Sequence, residues 1–267
     1  MTDLLQNPQE LFDVSDKVAV ITGATGAFGQ VAAKTLAGAG CKLALAGGNL
    51  SMLEKLAAEI TQIVGPGQVV TVQERPNDEA SCERIVVAAE TAFGGVDILV
   101  VASGVNDVDP IEDMSAERWQ AVMDANVKGS WLMCKAVSQR FIAQKSGKVV
   151  LVSSARGKLG HPAGYSAYCP SKSAVDGIVR SLGCEWGKYG ITVNALAPTV
   201  FRSPLTAWMF EDTEKARKVR DGMLARIPVG RLGEPEDLAG PLLFLTSPAS
   251  NFHTGHVIYA DGGYTAG

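Results

Sequence analysis

Short, almost wholly apolar runs recur along this chain at residues 17–22, 42–46, 69–72, 96–102, 148–152, 191–196 and 257–260. Runs of this length without polar alternation are strands buried on both faces, which is the signature of a parallel sheet. Helical spacing of apolar residues separates them, at 27–38, 50–63, 79–92, 115–144 and 166–186, then near 211–224 and 235–246. Strand and helix alternating over the whole length predict a doubly wound α/β sheet of about seven parallel strands, with helices on both faces. No low-complexity linker or fixed-period repeat divides the chain, so residues 16–267 are expected to form one domain behind a loosely held polar extension, 1–15. The 267 residues are 46% hydrophobic, enough for a large core and too apolar for a disordered chain.

Composition also excludes classes of function. The net charge of −4 and the lack of a basic stripe argue against nucleic acid as a partner. The five cysteines (41, 82, 134, 169 and 184) include no C-x-x-C, so neither a zinc site nor a disulfide framework is expected, and no metal is called for. Asp3, Glu10 and Asp13 break any signal-peptide pattern and no apolar run has membrane-spanning length. A cytoplasmic protein without a membrane partner is the expectation.

The first strand runs into Thr22-Gly23-Ala24-Thr25-Gly26-Ala27-Phe28-Gly29 at the start of the first helix. Glycines there let backbone approach a pyrophosphate, whose charge then faces a helix N-terminus. The end of the second strand, where a carboxylate or an Arg ordinarily chooses between NAD and NADP, reads Gly47-Gly48-Asn49. It holds neither. Asn49 and Ser51 suit both nucleotides, so the choice stays open at this point.

Tyr168-Cys169-Pro170-Ser171-Lys172 places a phenol and an ammonium four residues apart on one helical face, behind a strand that ends in Ser153-Ser154. A phenol titrates near pH 10, and a neighbouring cation favours its anion. Lowering its pKa by about 3 units takes roughly 4 kcal/mol, which brings it into the range of general acid–base catalysis.

Taken together, these residues resemble the short-chain dehydrogenase/reductase family in its short, single-domain form. The likeness runs from Lys17 to Gly263 and rests on Y-x-x-x-K at 168–172, Asn126 in N-V-x-G, Ser154, and I-T-V-N-A-L-A-P at 191–198. It also rests on residues 230–237 (GRLGEPED) and on Asp261-Gly262-Gly263. The resemblance implies a Rossmann-like fold and an NAD- or NADP-dependent interconversion of a secondary alcohol and a ketone. Tyr168 would be the acid–base, Lys172 would lower its pKa and hold the nicotinamide ribose, and Ser154 would bind the substrate oxygen. Asn126 would hold a water that links Lys172 to solvent. Gly23, Thr25, Gly26, Phe28, Gly29, Asn49, Ser103, Gly104, Pro198, Thr199, Val200 and Ser203 would join Tyr168 and Lys172 around the cofactor. A homotetramer is implied too, with the helix faces at 118–143 and 174–186 as candidate interfaces. An epimerase or dehydratase with a retained cofactor, or a non-catalytic nucleotide-binding protein, uses the same frame.

The sequence departs from the family pattern on the cofactor side. The glycine turn has Gly at 26 and Ala at 27 where T-G-x-x-x-G-x-G is usual. Val101-Ala102-Ser103-Gly104 replaces an Asn-Asn-Ala-Gly, which predicts a less braced sheet there. Arg75 stands where an Asp near the adenine is usual, and it is suited to stacking on the base. Thr199 follows Pro198 in place of Gly. At the substrate end, Arg156 lies two residues past Ser154 and is a candidate to pair with a substrate carboxylate or phosphate. His161 and Tyr165 are candidate pocket residues, and Trp208, Met209 and Phe210 a candidate apolar lid.

Overall fold

A computed structural model describes residues 4–267. Seven strands form one all-parallel sheet: β1 (Val18–Thr22), β2 (Lys42–Ala46), β3 (Val69–Val72), β4 (Ile98–Val101), β5 (Gly147–Val152), β6 (Ile191–Pro198) and β7 (Val257–Ala260). Their order is β3-β2-β1-β4-β5-β6-β7. The chain therefore winds outward in one direction from β1 to β3, and in the other from β4 to β7. The reversal lies between β1 and β4, which is where an open α/β sheet opens a crevice beyond its strand ends.

Successive residues of β1 serve opposite cores, as the two-residue period of a strand requires. Val20 packs with Leu99, Ile85, Phe141 and Val175. Ile21 packs with Leu43, Leu36, Leu53 and Leu242 on the other side. The first layer is roofed by α3 (Glu79–Phe93), α5 (Gly129–Gln144) and α6 (Tyr168–Trp186), and the second by α1 (Ala27–Gly38), α2 (Leu50–Val64) and α8 (Glu236–Thr246). The doubly wound expectation is met.

Two local expectations change. Residues 1–3 of the N-terminal extension lie outside the described residues, but its far end is not loose. Val14 is buried, the Cys41 thiol donates to the Val14 carbonyl at 3.3 Å, and Asp16 N donates to Gly40 O at 3.0 Å. The long helix expected over 115–144 is α4 (Ala116–Met123) and α5 joined by a π turn, Asp124–Lys128. An added residue in a helix pushes one side chain out of register, and such turns mark functional sites. Here the residue at its centre is Asn126.

Further along, α7 (Glu214–Leu224) is the helix expected near 211–224. No helix among the described residues is long and apolar enough to cross a membrane.

Candidate active site

A groove of about 400 Å³ opens over the C-terminal ends of β1, β2 and β4. It gathers Gly23, Thr25, Gly26, Asn49, Ser103 and Gly104, together with Arg75. The glycine turn shows which glycines matter. Gly23 has φ +63°, and a Cβ there would lie 2.5 Å from Ser103 N. A Cβ on Gly29 would run into Gly23 O and stand 2.7 Å from Ala24 Cα. At Gly26 the nearest atom would be 3.1 Å away, so that position is tight but not closed. The departure from the usual glycine spacing thus leaves the sterically closed pair, Gly23 and Gly29, in place. Gly104 is similarly confined, with Asn126 Oδ1 2.8 Å from where its Cβ would be.

The sheet beneath this turn is braced, contrary to expectation. The Ser103 and Thr22 hydroxyls share a hydrogen bond at 3.0 Å across β1 and β4, replacing the missing amides with a shorter link. At the end of β2, Asn49 Oδ1 accepts from Met52 N at 3.1 Å and from the Ser51 hydroxyl at 2.9 Å. It is committed to capping α2. Arg75 lies over Gly48, whose Cβ would overlap Arg75 Nε and come within 2.9 Å of its Cζ. Gly48 at the end of β2 therefore clears a path for a cation delivered from the end of β3.

The catalytic candidates converge on the other side of Gly104. Pro170 sits in the first turn of α6, where its missing N–H costs no intrahelical bond, and Val175 and Val179 bury the helix's inner face. Lys172 is buried, donates to Val152 O at 2.7 Å, and sits 5.6 Å from the Tyr168 ring centre. Loss of hydration pushes its pKa down to about 8, against a smaller opposing pull from Asp176. Tyr168 behaves differently from the expectation. Burial raises its pKa, and what offsets this is the hydrogen bond from Ser154 and the field of Arg156 rather than Lys172. Lys172, itself lowered to about 8, loses its charge before the raised phenol ionises and so offers the phenolate no cation. Asn126 clamps the strand-end loop: Oδ1 accepts from Val105 N at 2.7 Å, while Nδ2 donates to Val105 O and to Ser171 Oγ, both at 2.9 Å.

One contributor escaped the sequence reading. Asp176 stands one turn beyond Lys172, is buried, and accepts a 2.5 Å bond from Ser153 Oγ. Gly157 makes room for it, because a Cβ there would be 2.6 Å from Asp176 Oδ2. A carboxylate four residues past a lysine, inside an otherwise apolar helix face, was the available signal.

The model of the family described as Enoyl-(Acyl carrier protein) reductase matches residues 23–265, which spans both the glycine groove and the Tyr168 cluster. The chain belongs to the short-chain dehydrogenase/reductase family. It is an NAD(P)-dependent oxidoreductase. An uncharacterized oxidoreductase of Mycobacterium tuberculosis is 53% identical over 256 residues, covering 96% of this chain and 93% of that one. An NAD-dependent glycerol dehydrogenase of Listeria innocua is 34% identical, covering 95% and 96%. Among solved structures, a gluconate 5-dehydrogenase from Burkholderia cenocepacia in complex with NADP and tartrate superposes with a TM-score of 0.89 at 27% identity, covering 97% and 99%.

Within this dehydrogenase the remaining candidates divide. Phe28 is packed in the core under α1. Pro198 ends β6, paired with Ala260, while Thr199 and Val200 line a separate hollow with Asp261, Gly262 and Gly263. Ser203 bonds the Thr206 hydroxyl at 2.9 Å and borders a groove over the outer face of α1 rather than the glycine groove. Arg156 is tied to Gly160 O at 3.0 Å and to the Tyr264 hydroxyl at 2.9 Å. The ring of His161 lies 4.4 Å from that of Tyr165, which in turn meets the Tyr168 ring edge-on at 6.1 Å. The 208–210 segment splits: Met209 is buried, Phe210 packs beneath the Arg202 guanidinium at 3.8 Å, and Trp208 stays exposed.

Proposed function

We propose that this enzyme interconverts a secondary alcohol and a ketone on a polyhydroxylated substrate, with Tyr168 as acid–base. The observation that carries this is the meeting of Ser154, Tyr168 and Lys172 at the rim of a glycine-built nucleotide groove. The residues fit a nicotinamide dinucleotide: Gly23 and Gly29 leave no space for a Cβ, so backbone itself borders the groove. Bound there, the cofactor supplies or accepts the hydride. Ser154 holds the reacting oxygen, and Tyr168 gives that oxygen its proton in reduction or removes it in oxidation. Lys172, with a pKa near 8, holds a proton that can be exchanged at neutral pH, and Asn126 fixes the Val105 backbone beside it. Asp176 positions Lys172 and biases it toward the charged form. The listerial and Burkholderia relatives, by their names, act on glycerol and gluconate, which supports an oxygen-rich substrate.

The same reading extends to the cofactor. No carboxylate stands at the end of β2 to accept ribose hydroxyls, and Arg75 makes no hydrogen bond or ion pair through its guanidinium among the described residues. An unpaired guanidinium over Gly48 favours NADP through its 2′-phosphate. We read residues 16–267 as one catalytic unit and the protein as a cytoplasmic homotetramer. The exposed Trp119 and Trp131 on α4 and α5 are what support an interface there.

The test is Tyr168→Phe. Turnover of any accepted alcohol should fall by about 10²–10⁴-fold while reduced-nicotinamide fluorescence still reports normal NADPH binding. A variant with unchanged turnover would remove Tyr168 from the chemistry. Light scattering on the purified protein tests the tetramer.

A further inference from the structure

Next to Tyr168, on the side bearing Tyr165, lies a cluster of hydrogen-bond donors that has no anionic partner. Arg156 Nη2 and Arg226 Nη1 both donate to the Tyr264 hydroxyl, at 2.9 and 2.7 Å. Both guanidiniums also lie against the Tyr264 ring, 5.4 and 4.3 Å from its centre. A hydroxyl oxygen has two acceptor positions and one proton to give. Here both acceptor positions are filled by arginine, and the proton of a tyrosine that is only 2% exposed finds no acceptor among the described residues.

His161 adds a further donor. Its Nδ1 accepts from Ala163 N at 3.1 Å, so the neutral ring carries its proton on Nε2. Burial lowers its pKa, and Arg156 and Arg226 lower it further, so the ring stays neutral at pH 7. The neighbouring acids do not neutralise this cluster. Asp107 and Asp109 both hold Arg118, and Asp261 accepts the Gly263 and Thr265 amides at 2.9 Å. Glu112, exposed, shares a groove with His161 and bonds neither arginine.

The location ties this cluster to the substrate. Arg156 N donates to Ser154 Oγ at 3.1 Å, and the Arg156 guanidinium sits 5.9 Å from the ring of Tyr165, which meets Tyr168 edge-on. We infer that Arg156, Arg226 and the Tyr264 hydroxyl form a carboxylate site, and that the substrate is a hydroxy acid whose alcohol carbon reaches Ser154 and Tyr168 while its carboxylate is held here. Two planar guanidiniums and a hydroxyl proton match the acceptor lobes of a carboxylate. Tyr264 orders the two arginines before the substrate arrives, which lowers the entropy cost of binding. This inference rests on the alcohol–ketone reading above.

The test compares each acid with its neutral analogue, D-gluconate with D-glucitol and D-glycerate with glycerol, using NADP⁺ and NAD⁺ as oxidants. The acid of the better pair should be used with a kcat/KM at least 10-fold above its analogue. Arg226→Gln should cut that ratio at least 10-fold through the KM of the acid, with Arg226→Lys keeping most of it. Calorimetry of D-gluconate with the Tyr168→Phe protein separates the two readings. If that variant still turns over, the acid–base assignment fails, and weaker gluconate binding after Arg226→Gln still supports the carboxylate site. If turnover is lost as expected, three results overturn the carboxylate site: preference for the polyol, no binding of either acid, or an equal effect of Arg226→Gln on acid and analogue.

Discussion

The two halves of the cleft are built on different physical terms. The nucleotide half, over β1, β2 and β4, is made by the absence of side chains: Gly23, Gly29 and Gly48 stand where a single Cβ would strike backbone or the Arg75 guanidinium. The half that holds the proposed catalytic residues, on β5 and α6, is made by side chains taken out of water. The buried Lys172 lies in the field of Asp176, which accepts from the Ser153 hydroxyl, and the Tyr168–Ser154 contact lies beside them. Space governs the first half and hydration the second. Substitutions in the first should therefore act through sterics and be insensitive to pH, whereas those in the second should depend on pH.

The sharpest division comes from Tyr168→Phe, which should remove about 10²–10⁴-fold of kcat and leave the NADPH affinity alone. Its counterpart is Gly29→Ala, which should do the reverse. With a methyl driven into Gly23 O, nucleotide binding should be lost and stability should fall by about 1–3 kcal/mol, measured by fluorescence titration and urea unfolding. Gly26→Ala, one turn back, where a Cβ would lie a tight 3.1 Å from Gly23 O, should retain most of the binding. Equal losses at the two glycines would break the comparison.

Lys172 supplies the pH-dependent prediction. Its pKa is about 8 in the folded protein and near 10.4 in an unfolded chain, so between these values the unfolded state holds more protons. Stability should rise as pH climbs through that window, because the cost of burying the charge is present below pH 8 and lifts above it. The gain is on the order of 3 kcal/mol. Lys148, also pushed down to about 8 by burial, acts in the same direction, while the buried Tyr168 phenol reverses the trend once the unfolded tyrosine ionises above about pH 10. The Cys41, Cys82 and Cys134 thiols, pushed up by burial, oppose this once unfolded thiols ionise at about pH 8.5. The readout is therefore the difference between two proteins: from pH 7.5 to 9.5 the native protein should gain stability relative to Lys172→Met in urea unfolding. An identical change in both would mean that Lys172 is charged and well solvated.

On the nucleotide side, Arg75→Gln should weaken NADPH about 10-fold, or about 1.4 kcal/mol, and leave NADH unchanged. That difference should shrink as salt rises, since Arg75 is exposed. Ser103→Ala is the smallest case. Losing the link to Thr22 should cost about 1 kcal/mol in thermal stability with little change in kcat.

The amino-acid sequence by itself determined the sheet. A strand such as Ile98–Val101 is apolar along its whole length, the pattern that burial on both faces of a parallel sheet favours. It also placed Tyr168 and Lys172 on one helix face, because four residues is a local distance. Tertiary structure decided what lies far apart in the chain. Arg75 over Gly48, Ser103 against Thr22, and Arg156 and Arg226 on Tyr264 join positions separated by 27 to 108 residues, and no local period encodes such meetings. It also decided the ionisation of the site. The i, i+4 spacing of Lys172 and Tyr168 suggested a lowered phenol pKa, but burial raises the phenol and lowers the lysine, so the cation is lost before the phenolate forms. A charge's effect depends on distance and hydration in three dimensions, and spacing along a helix fixes only the first of these in part.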